Sequence, residues 1–462
     1  MEREGPTKRP INVHKTKYFV HKKSLCKTLA KGKPGPWGQR LPSPPMALNW
    51  AWIGLFTVAI ATAFVRWLLG EPGILPALLG ALFDGARSGF EISLGLAGVM
   101  ALWLGLMRVG ERAGMIELLA RAAGPLLRRL FPEVPQGHPA QGAMTMNISA
   151  NLLGLDNAAT PLGLKAMREL QALNTAPAGT ASHAQIMFVV MNTAGLTLIP
   201  TSVIAIRQSI ALKQGLGADF NAADIFLPTL LVTFISLLAG VLAVAVCQRL
   251  PLWRARFLLP VAAVGALLAL AVTALSRLPA DQAARIAGTT GAAVILGVVM
   301  LFLLAGAWRR VNVFEAFIEG AKDGFGVAIQ IVPYLIAVLI AIGVFRAAGC
   351  MDFVLSGIGA AVAALGLDTD FLPALPVGLM KVLSGAGARG LMIDVMQTHG
   401  VDSFAGRLAA IVQGSTETTF YVLAVYFGSV GVQRTRYALG CALFADAVGL
   451  IAAIGVGYAM LR

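Results

Sequence analysis

Two clusters of hydrogen-bonding side chains lie inside long apolar stretches of this sequence, at residues 147–161 and 413–421. Amides, hydroxyls and carboxylates at such spacings can hold a polar solute or a small cation. An unpaired polar group in apolar surroundings costs several kcal/mol, so these groups need a partner or a ligand. Together with a small-residue turn at 384–390, the clusters supply the candidate solute-binding residues: Asn147, Ser149, Asn151, Asp156, Asn157, Thr160, Ser384, Arg389, Gln413, Ser415, Thr416, Glu417 and Thr418.

The first cluster has the pattern of a broken helix. Pro161 fits the first turn of a helix, so we expect a helix that restarts at Leu162. A half-helix N-terminus offers unpaired N–H groups and the positive end of the helix dipole, which suit an anionic or carbonyl-bearing ligand. The alternative is that the polar side chains only cap the break and satisfy the freed backbone.

The second cluster contains a carboxylate, Glu417. An acidic residue in a membrane segment is a functional candidate by default, either for substrate hydrogen bonds or for a coupling ion. The spacing of Ser415 and Thr418 is close to that of a capping box, so simple helix capping is the competing interpretation.

A third polar segment surrounds Pro200. Thr193 and Thr197 are four residues apart and would share one helix face, and Pro200 would free a carbonyl near Leu196. Hydroxyls and a free carbonyl suit a hard cation such as Na⁺. The alternative is back-bonding of hydroxyls within a kinked helix. The candidate ion site consists of Asn192, Thr193, Thr197, Thr201 and Glu417.

The remaining charged residues near these segments have simpler expected roles. Lys165 and Lys381 are expected to reach toward a membrane interface. Arg389 is expected to pair with Asp394, with an anion clamp as the alternative. Glu91, at the start of a long apolar stretch, is expected to have an interface role.

The composition predicts that these residues lie in an all-α polytopic membrane protein. Of 462 residues, 57% are hydrophobic and 13% are charged, against about a quarter charged in soluble domains. Apolar stretches of spanning length, roughly 18 residues or more, occur at 47–69, 90–107, 184–206, 224–248, 257–276, 287–308, 326–345 and 437–461. Shorter apolar segments between them suggest half-helices that enter the membrane and return.

No catalytic or cofactor motif stands out. There is no phosphate-binding loop, nucleophile elbow, zinc-protease motif or dinucleotide fingerprint, and the four cysteines are isolated. We therefore expect no enzyme activity, no bound metal and no cofactor, apart from a coupling ion such as Na⁺ or H⁺.

The order of motifs suggests an internal duplication. Residues 84–90 and 319–325 share an acidic–Gly–Ala–basic–x–Gly–Phe heptad, and each heptad precedes a long apolar helix and then two polar turns. We expect a first repeat at 46–250, a linker with two membrane helices at 251–310 and a second repeat at 311–462. Residues 1–45 carry eleven Lys or Arg and two Glu, which predicts a disordered basic tail; Met46 as the true start is the alternative.

Two longer motifs carry a family resemblance. Asn147-Ile-Ser-Ala-Asn-Leu-Leu-Gly-Leu-Asp-Asn-Ala-Ala-Thr-Pro resembles spore maturation protein A, and Gln413-Gly-Ser-Thr-Glu-Thr-Thr-Phe-Tyr, with the turn at 384–390, resembles spore maturation protein B. The chain thus resembles a fusion of the two over residues 46–462. The resemblance implies a nucleoside-recognition, or Gate-type, membrane domain in a bacterial inner membrane, and it implies a homo-oligomer because Gate-type relatives often assemble.

Together these observations predict a secondary transporter that moves a small polar solute, nucleoside-like, amino-acid-like or ionic, by alternating access. The expected partners are the lipid bilayer, the solute and further copies of the chain, but no nucleic acid. The rival hypothesis is a membrane scaffold for envelope or spore maturation that moves no solute. An intramembrane enzyme is disfavoured because no His lies near Ser149, Ser384 or Ser415 in sequence.

Overall fold

The computed structural model describes residues 46–154, 156–217, 220–250, 255–275, 277 and 280–461, and it contains only helices and connecting turns in these ranges. The predicted tail at 1–45 lies outside the described residues. The helices are α1 (Met46–Leu68), α2 (Ile74–Arg112), α3 (Met115–Leu130), α4 (Pro139–Leu152), α5 (Asp156–Ala172), α6 (His183–Thr193), α7 (Thr201–Lys213), α8 (Phe226–Gln248), α9 (Ala255–Leu275), α10 (Ala280–Trp308), α11 (Val313–Ala347), α12 (Cys350–Ala364), a 3₁₀ turn (Leu372–Ala374), α13 (Leu375–Leu383), α14 (Gly385–His399), α15 (Phe404–Gly414), α16 (Thr419–Gly428) and α17 (Ala438–Met460).

Five segments of the described chain are long and apolar enough to cross a membrane: α2, α8, the part of α10 from Gly288, α11 and α17. Shorter apolar helical segments occur outside these five, at Trp52–Leu68, Leu259–Ala271, Cys350–Ala364 and Leu372–Leu383. The predicted fold class, an all-α polytopic membrane protein, is confirmed. The expectation of one continuous span over 184–206 is wrong, because α6 ends at Thr193 and α7 begins at Thr201.

In the described chain, the seven helices from α2 to α8 and the seven from α11 to α17 follow a similar order of lengths. The first helix of each series is the longest, with 39 and 35 residues, and the last has 23 residues in both. Gly114 and Gly349 follow the two long helices in the left-handed conformation, at φ 72° and 80°, which glycine adopts without a steric penalty. Superposition of the two predicted repeats stays a prediction.

The two heptads explain the most extensive helix contact in the described chain, which joins α2 to α11. A Cβ atom on Gly89 would lie 2.9 Å from the Ile336 Cα atom, and one on Gly324 would lie 2.5 Å from the Met100 carbonyl oxygen. The glycines of each heptad therefore let the backbone of one long helix touch the other, as small residues do in membrane helix pairs. The heptads occupy opposite ends of this antiparallel pair.

Two described helices outside this pair pack on it from another predicted segment: α1 belongs to the first repeat and α10 to the linker. The first helix, α1, packs on α11, and α10 packs on α2. At one end of the α2–α11 pair, Arg108 contacts Asp323 at 2.9 Å and Glu111 at 2.8 Å, and Arg112 pairs with Glu319. The long helix of each predicted repeat thus contacts a helix from outside its own repeat.

Candidate functional site

Three interruptions of the helices meet in space. They are the turn at 153–154 between α4 and α5, the segment 194–200 between α6 and α7, and the segment 415–418 between α15 and α16. Backbone hydrogen bonds join them: the Leu198 N–H donates to the Leu152 carbonyl at 2.9 Å, and the Glu417 N–H donates to the Thr193 carbonyl at 2.8 Å. Backbone groups that a broken helix would leave unpaired are therefore satisfied by another break.

Gly154 sets how closely the first two breaks approach. Its φ is 71°, and a Cβ atom at this position would lie 2.9 Å from the Ile199 carbonyl oxygen. A side chain here would both strain the turn and push the segment 194–200 away. Glycine is therefore required by conformation and by space at the same residue.

The breaks enclose a cavity of about 590 Å³. Residues of both predicted repeats line it, together with the turn at Ser384. Eleven of the predicted site residues are among them: Asn151, Thr160, Asn192, Thr197, Thr201, Ser384, Arg389, Gln413, Thr416, Glu417 and Thr418. The structure thus brings both sequence clusters and the Pro200 segment to one cavity, while ligand binding by these residues stays a prediction.

Four predicted residues are not among those that line the cavity, and three of them donate side-chain hydrogen bonds within the protein, whereas the Ser149 hydroxyl has no partner among the described residues. Thr193 and Ser415 donate through their hydroxyls to the Val190 and Val412 carbonyls, at 2.9 and 2.7 Å, which is the back-bonding alternative. Asn147 and Ser149 are fully buried in α4. Asp156 and Asn157 begin α5, and their side chains lie outside the described part of the structure.

An amide–tyrosine network supports this wall. The Asn151 Nδ2 group donates to the Asn192 Oδ1 atom at 2.8 Å, and the Tyr426 hydroxyl donates to the same oxygen at 3.3 Å. The Asn147 Nδ2 group donates to the Ala159 carbonyl at 2.8 Å and reaches the Tyr426 hydroxyl at 3.3 Å. Asn147 therefore ties α4 to α16 across the two predicted repeats, while its Oδ1 atom has no hydrogen-bond partner among the described residues.

Three tyrosines of this site were not predicted from the sequence. Tyr426, Tyr421 and Tyr334 line the cavity. Each places a hydroxyl within an apolar run of the sequence. This pattern is only a weak signal for a cavity residue, because a tyrosine at a membrane surface gives the same pattern.

Several details of the expected local geometry are wrong. Pro161 lies inside α5, which begins at Asp156, so the helix does not restart at Leu162. Thr197 lies in the connection after α6 and shares no helix face with Thr193. Pro200 precedes α7 as its N-cap residue and therefore does not kink a continuous helix.

The basic residues also differ from expectation. Asp394 pairs with Arg346 of α11, so the expected pair of Arg389 with Asp394 is wrong. Lys381 is only 7% exposed and lines the cavity, so it does not extend to an interface. Among the described residues, Arg389 and Glu417 have no ion-pair partner, although both line the cavity. Glu91 pairs with Arg87 and Lys213 on the exposed surface.

A second cavity of about 800 Å³ adjoins the first. The two share four lining residues, which are Gly154, Thr201, Ser202 and Arg389. The second cavity extends along α2 and α11 to the charged end of that pair, where Arg108 and Asp323 line it. These four residues thus mark the boundary between the two cavities. The first, called the inner cavity below, has a polar wall, and the second has a charged rim.

The fold and the site define a polytopic α-helical membrane protein whose polar cavity is built on interrupted helices. The family model described as Gate, nucleoside recognition, matches this chain twice, at residues 93–209 and 328–433. Spore maturation protein B of Bacillus subtilis (strain 168) is 41% identical over 162 residues, which are 35% of this chain and 89% of that protein. Spore maturation protein A of the same organism is 38% identical over 189 residues, which are 41% of this chain and 89% of that protein. No solved structure matches the chain significantly.

The chain belongs to the family of spore maturation proteins A and B, with nucleoside-recognition Gate domains. The resemblance inferred from the two sequence motifs is confirmed.

Proposed function

We propose that this protein is a secondary transporter of a small polar solute in a bacterial inner membrane. The observation that carries the proposal is the cavity of about 590 Å³, whose polar wall comes from both predicted repeats and from three interrupted helices. Irregular backbone at membrane depth is tolerated where it lines a cavity, and transporters place their binding sites at such breaks. A scaffold has no need for a shared polar chamber.

The proposed mechanism is alternating access. The solute binds between the α6–α7 break and the α15–α16 break, and relative movement of the surrounding helices opens the cavity to one side at a time. Glu417 is the proposed site of the coupling ion, since its carboxylate lines the cavity and has no ion-pair partner among the described residues. Asn192, Thr197 and Thr201 offer further oxygen ligands on the facing wall.

The movement can be tested without knowing the solute. The native cysteines are replaced, and Thr197→Cys places one thiol in the cavity wall. A membrane-impermeant maleimide is then applied separately to right-side-out and to inverted vesicles. Alternating access predicts labelling from both sides. The matched control is Leu267→Cys on α9, at an apolar position that is 67% exposed outside the helix bundle, which should react from neither side because lipid covers it.

Labelling of the Thr197→Cys variant from one side only, or from neither, would contradict a transport path and favour the scaffold. The role of Glu417 is tested in the same background. A coupling ion should change the labelling rate when Na⁺ or pH is varied, and Glu417→Gln should remove that dependence because it keeps the shape and removes the charge. The control is Asp352→Asn, an exposed acidic residue of α12. A dependence that survives Glu417→Gln would assign the coupling ion elsewhere.

A further inference from the structure

Three helix N-termini converge on the inner cavity. Thr201 and Ser202 open α7, Gly385 and Ala386 open α14, and Thr418 is the N-cap residue of α16; all five line the cavity. The first N–H groups of a helix have no partner within that helix, and the dipole places partial positive charge there. At α7 and α16 no side chain caps these groups. The inner cavity is therefore rich in backbone donors.

Two of these ends approach each other at a glycine. A Cβ atom on Gly385 would lie 2.6 Å from the Thr418 Oγ1 atom. A larger residue at this position would force the Thr418 hydroxyl to turn away. The two ends are thus held close enough to act on one bound group.

A buried amide in the same cavity points independently to a ligand. Gln413 lines the cavity and is only 4% exposed, and its Oε1 atom has no hydrogen-bond partner among the described residues. Leaving a buried acceptor unpaired costs about 1–3 kcal/mol. A solute with an O–H or N–H donor would satisfy this atom.

Arg389 adds a full positive charge to the same wall. It lies one turn into α14, lines both cavities, and has no ion-pair partner among the described residues. A guanidinium can hold a carboxylate or phosphate through two parallel hydrogen bonds. Because Arg389 is part of the boundary between the two chambers, a solute that moves between them must pass it.

We infer that the solute carries an anionic group, a carboxylate or a phosphate, which binds Arg389 and the uncapped N-terminal N–H groups of α7 and α16, and a nearby O–H or N–H donor, which Gln413 accepts. Glu417, on the same cavity, remains available for the coupling ion. The inference rests on the proposed function, since it names the class of solute for the transport site.

The test uses matched pairs of compounds that differ in the anionic group. The purified full-length protein is titrated in detergent, at constant ionic strength, with uridine monophosphate against uridine and with lactate against lactamide, and with inorganic phosphate alone. The inference predicts at least tenfold tighter binding of the anionic member of one pair, seen by calorimetry and as a higher melting temperature. The two pairs separate a phosphate site from a carboxylate site.

Arg389→Gln should remove the preference for the anion, and Arg389→Lys should restore part of it, because a point charge replaces the two-pronged contact. The control is Arg87→Gln, which removes an exposed arginine of α2 and should change nothing. Gln413→Met keeps the size of the side chain and should weaken the anionic member about tenfold while leaving Arg389 intact. Each variant is first checked for a single peak on size exclusion.

Equal binding of the charged and neutral members, or an anion preference that survives Arg389→Gln, would overturn the inference. So would the failure of every anion in the panel to bind at millimolar concentration. This outcome is separable from failure of the proposed function. For example, anion binding could depend on Arg389 while the Thr197→Cys variant is labelled from one side only. These two results together would support the anion site and contradict the transport proposal.

Discussion

The contact between α2 and α11 makes a sharp prediction about two glycines in one helix. A Cβ atom on Gly324 would lie 2.5 Å from the Met100 carbonyl oxygen and 2.8 Å from the Ala101 Cα atom, whereas a Cβ atom on Gly326 would have no neighbour within 4 Å. Gly324→Ala must push the helices apart, and overpacking of this kind costs about 1–3 kcal/mol. Gly326→Ala should instead gain roughly 0.5–1 kcal/mol, because alanine favours the helix.

The two substitutions are chemically identical, so the difference between them isolates the contact. The gain in helix propensity is common to both variants and cancels, so we expect the Gly324→Ala variant to be about 1–3 kcal/mol less stable than the Gly326→Ala variant. At roughly 1 °C per kcal/mol for a chain of this length, its melting temperature should be a few degrees lower. Thermal unfolding in detergent and the midpoint of denaturant unfolding give two independent measures. Equal stability of the two variants would refute the argument that the heptad glycines exist to let the helix backbones touch.

Two further predictions concern ion pairs. Arg207 is fully buried and pairs with Asp224, which also contacts Arg407 at 3.1 Å. Because Asp224 keeps Arg407 as a partner, Arg207→Met should cost about 1–3 kcal/mol in denaturant unfolding. Arg87→Met, at an exposed pair, should cost much less, and similar losses for the two variants would contradict the assigned burial. Double-mutant cycles should give a coupling free energy of about 0.5–3 kcal/mol between Asp394 and Arg346. The same measurement should give no coupling between Asp394 and Arg389. The reverse result would support the pair that was expected from the sequence.

Sequence reasoning identified the features that depend on local composition. The apolar runs predicted the long helices, and the clusters of small and polar residues marked the segments where helices stop. The shared heptad pattern was recognisable in the sequence, but its role in helix packing was not. Sequence cannot show which backbone lies against Gly89 or Gly324. The helix boundaries were less accurate: Pro161 was assigned to a first turn, whereas α5 accommodates it after a start at Asp156.

Features that depend on long-range contacts were beyond sequence reasoning. Arg389 is five residues from Asp394 and was the nearest cation along the chain, yet Arg346, 48 residues away, is the partner. Likewise, the connection of Asn147 to Tyr426 joins residues 279 positions apart. Reasoning from local spacing favours interaction partners that are close along the chain. In the folded protein, helix packing decides which residues are in contact.

The shared walls of the cavity have a consequence for assembly. Because residues of both predicted repeats line one chamber and lie on one polypeptide, formation of the site is an intramolecular event. Its rate and yield should not depend on how many copies of the protein the membrane holds, and the two parts are always made in equal amounts. Tethering raises the local concentration of one part around the other, so an interface too weak to hold two separate chains together could still keep the site assembled.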